Sequence, residues 1–493
     1  MTGAAILGTR AAVPESPESL EPGAGAHRRR GSWLARHPAW PLTLLLAGIP
    51  LWWALGFGDY IFILLSIPMA ARLYAWSAQG NRRIRVPPGF GLWLLFLLVV
   101  LIGAAALAAT APGTLASPVS NRLISFGVRT IGYLGDTALL LFAGNLTERE
   151  LPRRRLAWLL GLVALYVVAG GLLGVFFKHL HFTAPLAAIV PQRLQANNLV
   201  LHVQLHPAAS QLQSVLGTAG RPSAPFAYTN EWGNCLALLL PWLIARWWFQ
   251  GSRRQRMIAL AAVVLAIVPI IYSLDRGLWL GLIVIVGYLG FRLAAQGRLA
   301  VLGGLVTALV LAAIVIAVTP LQGMISQRLA NGASDASRGS LAVAAMVDAA
   351  ASPLVGYGDT RHQQGSVQSL SVGRSAKCPT CGERTIGGNG QLWLLLISDG
   401  FLGAGLYVGF FLYGFWRYRR DTTPYGVAGQ LTLLGTFVFM FAYTATGAPL
   451  GFTMLAFAML WRNAQARRQP AAGPEPELAS PAASHRLSGR PGS

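Results

Sequence analysis

About twelve apolar runs, each long enough to cross a lipid bilayer, constrain the fold of this chain more than any other feature. Hydrophobic residues make up 54% of the 493 residues, whereas charged residues make up only 11%, which is too apolar for a soluble domain of this length. We therefore predict an all-α polytopic membrane protein with about twelve transmembrane helices. The predicted spans lie at roughly 39–57, 58–76, 90–110, 123–145, 156–177, 228–249, 257–274, 277–294, 299–319, 390–415, 426–445 and 448–462.

Arginine clusters indicate the orientation of the predicted helices. The clusters fall on every second connection, and the positive-inside rule places such connections, with both termini, in the cytoplasm. The rule also accounts for the net charge of +22, so a nucleic-acid partner is not needed to explain it. The clusters lie at 82–85, 153–155, 253–256, 292–298, 417–420 and 462–468.

Residues 320–388 form a polar, Gly- and Ser-rich segment between predicted helices 9 and 10. This segment must lie in water, because unpaired backbone groups in hydrocarbon cost several kcal/mol each. It is predicted to be a large extracytoplasmic loop, and a shorter loop at about 178–227 lies on the same side. The full division is 1–32 disordered cytoplasmic tail, 33–319 helices 1 to 9, 320–388 large loop, 389–462 helices 10 to 12, and 463–493 disordered cytoplasmic tail.

Both of these loops carry a positive charge that the positive-inside rule does not explain. The loop at 178–227 contains Lys178, Arg193 and Arg221 and no acidic residue. The loop at 320–388 contains six basic and four acidic residues. Fixed cations on this side of the membrane predict an anionic ligand such as a lipid phosphate.

Arg221 and Arg276 stand where the chain turns at the predicted outer surface. Arg221 lies in a Gly- and Pro-rich turn ahead of Asn230, which is expected to cap the next helix. Arg276 lies in a very short connection beside Asp275, and the alternative to a functional role for this pair is that Asp275 is only a structural counter-ion. We interpret the guanidinium group of Arg276 as a ligand of a pyrophosphate, whose oxygens match its planar fork. For Arg221, the interpretation without a functional role is that it extends to lipid headgroups.

The loop at 320–388 supplies further candidates. Arg338 opens a predicted amphipathic helix, and a chain reversal after that helix leads to His362. His362 is either a solvated, inert side chain or a base. Cys378 and Cys381 form a Cys-Pro-Thr-Cys pair, for which a local disulfide and half of a zinc site are the alternatives.

Three stretches, taken together, carry a family resemblance. They are Arg221-Pro-Ser-Ala-Pro-Phe with Asn230 and Glu231, Ser273-Leu-Asp-Arg-Gly277, and Arg338 through Ser352-Pro-Leu-Val-Gly-Tyr-Gly358 followed by Leu392 to Gly403. The order of these stretches, their spacing and their position on one predicted face resemble those of the bacterial O-antigen ligase and O-antigen polymerase superfamily. The resemblance covers roughly residues 215–415. Members of that superfamily transfer glycans from polyprenyl diphosphate donors at the outer face of the inner membrane.

The resemblance implies a multi-pass membrane glycosyltransferase of the bacterial inner membrane with its active face outside the cytoplasm. Its partners would be a polyprenyl diphosphate-linked glycan donor and a glycan or lipid acceptor, with no nucleic acid, cofactor or metal. Arg221, Arg276 and Arg338 would bind the diphosphate, and Arg276 would also act in catalysis by stabilising the leaving group. Attack by an acceptor hydroxyl would invert the anomeric centre.

The chain departs from the family at a histidine that is thought to activate the acceptor. Asn389 occupies the position of this histidine, and Ser398 that of a glutamate later in the same helix. Asn orients a hydroxyl but cannot take its proton near neutral pH. We therefore predict His362, Asn389 and Arg276 as catalytic residues, with His362 as the base. The alternatives are a reaction that relies on leaving-group stabilisation and an inactive family member.

Two rival functions fit parts of the sequence. A membrane glycosyltransferase of another type would use Asp59, in the first outer turn, as its base, unless Asp59 only caps a helix. A non-enzymatic flippase or transporter of lipid-linked glycans would need a polar path through the bundle. Asp136 and Glu231 are the clearest acidic residues within the apolar runs, which is little material for such a path.

Overall fold

The computed structural model of the chain is mostly α-helical. It describes residues 37–80, 82–192, 195, 199–211, 220–317, 322–323, 325–326, 333–364 and 383–468. The predicted N-terminal tail, the end of the C-terminal tail, and Cys378 and Cys381 lie outside these residues. The described helices belong to one unit that begins at Ala39.

The described residues form fifteen α-helices and four short strands. The helices up to the first sheet are α1 (Trp40–Ala47), α2 (Ile49–Leu55), α3 (Tyr60–Ala78), α4 (Phe90–Ile102), α5 (Val119–Asn145), α6 (Arg153–Phe176) and α7 (Leu199–Leu205). Strands β1 (Ser210–Gln211) and β2 (Arg221–Pro222) follow. The next helices are α8 (Thr229–Leu243), α9 (Arg253–Tyr272), α10 (Arg276–Ala295), α11 (Leu299–Ala317) and α12 (Ala333–Ala351). The chain continues with β3 (Arg361–Gln364), β4 (Glu383–Ile386), α13 (Gln391–Tyr418), α14 (Pro424–Phe439) and α15 (Ala448–Arg468).

Among the described residues, five helices are long and apolar enough to cross a membrane, namely α3, α6, α9, α10 and α13. The chain is therefore a membrane-embedded protein. Each of the twelve predicted apolar runs contains helix, and the first run is divided at Gly48 into α1 and α2. Pro50 stands in the first turn of α2, where its missing N–H prevents α1 from continuing through the run.

The loops add two short antiparallel sheets, which the all-α prediction did not include. β1 pairs with β2, so that Gln211 lies opposite Arg221. β3 pairs with β4, so that His362 lies opposite Thr385. The pairing supplies hydrogen bonds to backbone groups of the loops that no helix satisfies.

Helix α8 lies at the centre of the bundle and packs against α6, α10, α14 and α15. Trp232 and Trp242, both on α8, are almost fully buried. Their indole N–H groups donate to the carbonyl of Val167 on α6 at 2.8 Å and to the hydroxyl of Thr432 on α14 at 3.0 Å. These bonds satisfy the polar atoms of large apolar side chains within the core.

One end of the bundle gathers the arginine clusters. Glu148 accepts from Arg153 at 2.9 Å and from Arg462 at 3.0 Å, which joins the start of α6 to the end of α15. Asp421 accepts from Asn463 at 2.6 Å, which joins the α13–α14 connection to the same helix. We call this end the arginine-rich face; it comprises residues 82–85, 145–155, 250–256, 417–425 and 462–468.

The opposite end of the bundle carries the longer connections. The N–H of Leu115, after α4, donates to the carbonyl of His362 at 2.7 Å. The N–H of Gln391 donates to the carbonyl of Tyr443 at 2.8 Å, which joins the start of α13 to the α14–α15 connection. We call this end the loop-rich face; it comprises residues 103–118, 178–184, 207–211, 220–228, 273–276, 352–364, 383–390 and 440–447.

Candidate functional site

Arg221 is held at the loop-rich face by β1–β2 and by two polar contacts. Its Nε donates to the carbonyl of Ser273, and its Nη2 donates to Oδ1 of Asn230 at 3.2 Å. The prediction that Asn230 caps α8 is wrong, because the residue before that helix is Tyr228 and no side chain makes a capping hydrogen bond there. The amide of Asn230 instead orients the guanidinium group of Arg221.

Asp275 caps α10 and is 4% exposed. Its Oδ1 accepts from the backbone N–H of Gly277 at 3.1 Å and of Leu278 at 3.3 Å, and also from the phenol of Tyr443. These bonds satisfy two of the N–H groups that a helix start leaves without partners. They also fix the position of Arg276, which is the first residue of α10 and is half-buried.

Arg338 and Arg221 lie close enough for their charges to interact. Burial lowers the pKa of the Arg221 guanidinium, Asp275 opposes this effect, and the like charge of Arg338 adds to it. Asp275 therefore interacts electrostatically with Arg221 and Arg338. The sequence had suggested only Arg276 as the partner of this carboxylate. Two cations and one carboxylate leave an excess of positive charge that favours an anion. We call Arg221, Asp275, Arg276, Arg338, Asn389 and Tyr443 the arginine cluster.

Asn389 lies beside Arg338, in the connection between β4 and α13. Its Nδ2 donates to the backbone carbonyl of Arg338 at 3.1 Å. Its Oδ1 is buried and has no hydrogen-bond partner among the described residues. Because a buried acceptor without a donor costs free energy, this oxygen favours a ligand that brings an O–H or N–H group.

His362 lies on the β3–β4 hairpin. Its Nδ1 is 3.3 Å from the hydroxyl of Thr385 and 3.8 Å from a carboxylate oxygen of Glu383. The imidazole is about one-third exposed, since its side chain retains 36% of its accessible surface. These partners belong to the hairpin and not to the arginine cluster. Strand β4 of the hairpin continues through a short turn to Asn389 of the cluster.

Four of the five predicted site residues therefore belong to the arginine cluster, and the fifth lies on the neighbouring hairpin. No family model and no curated protein matches this chain. What the cluster can do chemically follows from its own side chains: guanidinium groups bind an anion, and the free amide oxygen accepts from a hydroxyl. The described residues contain no group of three His, Cys, Asp or Glu side chains that would hold a metal ion.

The segment 352–359 packs against a break in α13. The N–H groups of Tyr357 and Gly358 each donate to a carbonyl of α13 at 2.8 Å. At the break, Gly400 has φ 66° and ψ −173°, a conformation that essentially only glycine adopts. A Cβ on Gly400 would also lie 2.6 Å from the carbonyl oxygen of Pro353. The third stretch singled out in the sequence therefore contains two segments, Ser352 to Gly358 and Leu392 to Gly403, that are in direct backbone contact.

Three buried arginines that the sequence interpretation missed lie around this segment: Arg361 and Arg129 bond to it directly, and Arg122 bonds to the connection beside it. Arg361, which is 1% exposed, donates to the carbonyl of Tyr357 at 2.9 Å and to carbonyls of the 106–109 connection. Arg129 pairs with Asp359 at 3.4 Å, and Arg122 donates to the same connection as Arg361. The available signal was the seven-residue spacing of Arg122 and Arg129, which puts both on one face of the same helix.

Asp59, the base in the rival interpretation, is used to join helices. Its side chain makes no capping bond to its own helix α3. Its Oδ1 instead accepts from the N–H of Ala448, at the start of α15, at 3.3 Å, and its carboxyl group is hydrogen-bonded to Glu231. Asp59 therefore caps a helix, as the alternative interpretation states, but that helix is α15 and not α3, which it precedes.

Proposed function

We propose that this chain is a membrane glycosyltransferase of the O-antigen ligase and polymerase type. It transfers a glycan from a polyprenyl diphosphate donor to a glycan or lipid-linked acceptor. In this proposal all twelve apolar runs cross the bacterial inner membrane, and the loop-rich face, with residues 320–388, lies outside the cytoplasm.

The arginine cluster is the observation that carries the proposal. Arg221 and Arg338 act on one buried carboxylate, Asp275, and Arg276 follows that carboxylate directly. Arg221 and Arg338 leave an excess of positive charge over Asp275, and with Arg276 assigned as a third ligand the site suits a ligand with several negative charges, whose phosphate oxygens match the guanidinium forks. A polyprenyl diphosphate enters such a site from the bilayer with its charged group at the membrane surface.

Transfer needs one bond to form and one to break. The oxygen of an acceptor hydroxyl bonds to the anomeric carbon, and the bond from that carbon to the diphosphate oxygen breaks with both electrons passing to the diphosphate. Arg221, Arg276 and Arg338 stabilise the charge that develops on this leaving group, a role for which fixed donors are effective. Attack from the side opposite the diphosphate inverts the anomeric centre.

In this proposal Asn389 and His362 act on the acceptor: Asn389 orients it, and His362 is the base for its attacking hydroxyl. The unpaired Oδ1 of Asn389 accepts a hydrogen bond from a second hydroxyl of the acceptor and so orients the acceptor, while the attacking hydroxyl donates to His362. His362, on the neighbouring hairpin, takes the proton as the new bond forms, with Glu383 beside its Nδ1 to stabilise the imidazolium.

The experiment that tests the proposal measures glycan transfer by purified protein in nanodiscs that contain a lipid-linked glycan donor. Arg276→Ala should abolish transfer while the protein still folds, because the bonds that cap α10 are made by Asp275 and by backbone N–H groups. Arg276→Lys should restore only part of the rate, because an ammonium group lacks the fork. Lys178→Ala removes an exposed cation from the same face and serves as the matched control, with the rate unchanged.

Full activity of a folded Arg276→Ala protein would contradict the assignment of the diphosphate site. A flippase would move the donor between the leaflets of a liposome without forming any transfer product, and that result would replace the proposed function.

A further inference from the structure

The arginine-rich face contains a cavity of about 700 Å³ that the proposed reaction does not use. It lies between the 82–85 segment, the end of α5 and the end of α15. A volume of this size is typical of sites that bind small molecules. The charged and amide side chains that line it include Arg82, Arg83, Arg85, Glu148, Arg462 and Gln465.

The cavity carries an excess of positive charge. Arg82 pairs with Glu150 at 3.0 Å. Arg462 pairs with Glu148, which it shares with Arg153. Arg83 and Arg85 are exposed, and neither forms an ion pair within the described part of the chain.

Arg462 is the deepest of these cations and is 5% exposed. Its Nη2 donates to Glu148 at 3.0 Å and to the carbonyl of Leu151 at 2.6 Å. Its Nη1 is also buried but has no hydrogen-bond partner in the part of the chain that the structure describes. A buried guanidinium N–H without an acceptor costs free energy, and a ligand oxygen in the cavity would remove this cost.

The fold holds the cavity wall in a fixed position. Asn145, the last residue of α5, makes two hydrogen bonds with the backbone of Arg85, one at 2.9 Å to its N–H and one at 2.8 Å to its carbonyl. The side chain of Arg85 in turn reaches Gln465 on α15 at 3.4 Å. The arginines are thus placed by a defined scaffold and do not lie on a mobile tail.

We propose that this cavity binds a phosphate-bearing anion, with Arg83, Arg85 and Nη1 of Arg462 as its donors. The guanidinium groups surround the phosphate oxygens, and Glu148 keeps Arg462 in position. Two sources share this chemistry: the headgroup phosphate of an anionic phospholipid in the adjacent leaflet, and free phosphate from solution. The site is independent of the transfer reaction assigned to the loop-rich face.

The test uses the full chain and two probes. Phosphatidylglycerol retention is measured by native mass spectrometry after purification from nanodiscs of phosphatidylcholine with graded phosphatidylglycerol, and inorganic phosphate is titrated calorimetrically against detergent-solubilised protein. The double variant Arg83→Gln with Arg85→Gln removes two charges from the cavity. The control, Arg253→Gln with Arg254→Gln, removes two exposed charges from the same face outside the cavity.

We expect saturable binding of one probe, about tenfold weaker in the cavity variant and unchanged in the control. Binding of phosphatidylglycerol alone identifies the lipid headgroup as the ligand, and binding of inorganic phosphate alone identifies the soluble anion. Arg462→Lys, which keeps the charge and loses the fork, should weaken the same probe if it folds. Equal binding by the two double variants, or no saturable binding of either probe, would overturn the proposal.

Discussion

Asn389 and His362 differ in the one property that proton removal requires. An imidazole has a ring nitrogen that can accept a proton, whereas an amide such as that of Asn389 can only orient a hydroxyl. We expect His362→Ala to lower the transfer rate by roughly 10²- to 10⁴-fold, as is typical for loss of a general base. Asn389→Ala removes one hydrogen bond to the acceptor and should cost about tenfold. Initial rates at varied acceptor concentration, which separate kcat from KM, measure both effects.

Gln364→Ala provides the control for this comparison, because Gln364 is exposed and lies on the same strand as His362. Its rate should equal that of the unaltered protein. A larger loss for Asn389→Ala than for His362→Ala would contradict the role of His362 as the base. It would leave leaving-group stabilisation by the arginine cluster as the main source of catalysis.

Helix α13 depends on glycine at the point where segment 352–359 packs against it. Gly400→Ala should destabilise the protein by roughly 1–3 kcal/mol, because alanine is strained at this backbone conformation and would meet the carbonyl of Pro353. Gly405→Ala, in the same helix, is the control, since a Cβ there meets nothing within 4 Å and alanine favours helix. Thermal unfolding of both variants in one detergent measures the difference. Equal midpoints would contradict the importance of the break.

The stability of the protein should depend on pH through Asp348, which lies on helix α12. Burial raises the pKa of its carboxyl from 3.8 to about 6, and Arg361 only partly opposes the shift. Because the folded protein holds this proton more tightly than the unfolded chain does, the stabilising contribution is present at low pH and is lost as the pH rises through about 6. Asp348→Asn mimics the protonated form. Its melting temperature should exceed that of the unaltered protein above pH 6 and match it below pH 4.

The measurement for this prediction is the difference between the two melting temperatures at several pH values. Taking the difference removes the contribution of every other titrating group that the two proteins share. A difference that stays constant from pH 4 to pH 7 would contradict the assignment to Asp348.

The helices could be predicted because each apolar run carries its own signal, whereas their interruptions could not. Pro50 is visible in the sequence, yet the first run was predicted as one span because its total length suits a bilayer. The break at Gly400 lies where segment 352–359 packs against the helix, and that segment lies more than forty residues earlier in the chain. A local pattern holds no information about such a partner.

At the scale of the whole molecule, the common face of the arginine clusters could be predicted, because alternate connections of successive membrane helices lie on the same side. The pairing of side chains could not. Tyr443 and Asp275 are bonded across 168 residues, and the apolar surfaces of membrane helices do not specify which helices become neighbours. Sequence reasoning singled out Arg221, Arg276, Arg338 and Asn389, but not Tyr443, whose phenol bonds to Asp275 and joins the α14–α15 connection to the arginine cluster.

The orientation of the two faces decides where the arginine cluster acts. The test uses a variant without native cysteines, in which the buried Cys235 is replaced by Ala and Cys378 and Cys381 by Ser. Single cysteines are then introduced as Gln364→Cys on the loop-rich face and Arg254→Cys on the arginine-rich face, at positions where both native side chains are exposed. Because the positive-inside rule places the arginine-rich face in the cytoplasm, a membrane-impermeant maleimide should label intact spheroplasts at position 364 and reach position 254 only after lysis. The reverse pattern would put the arginine cluster in the cytoplasm, where the proposed transfer outside the cell membrane could not take place.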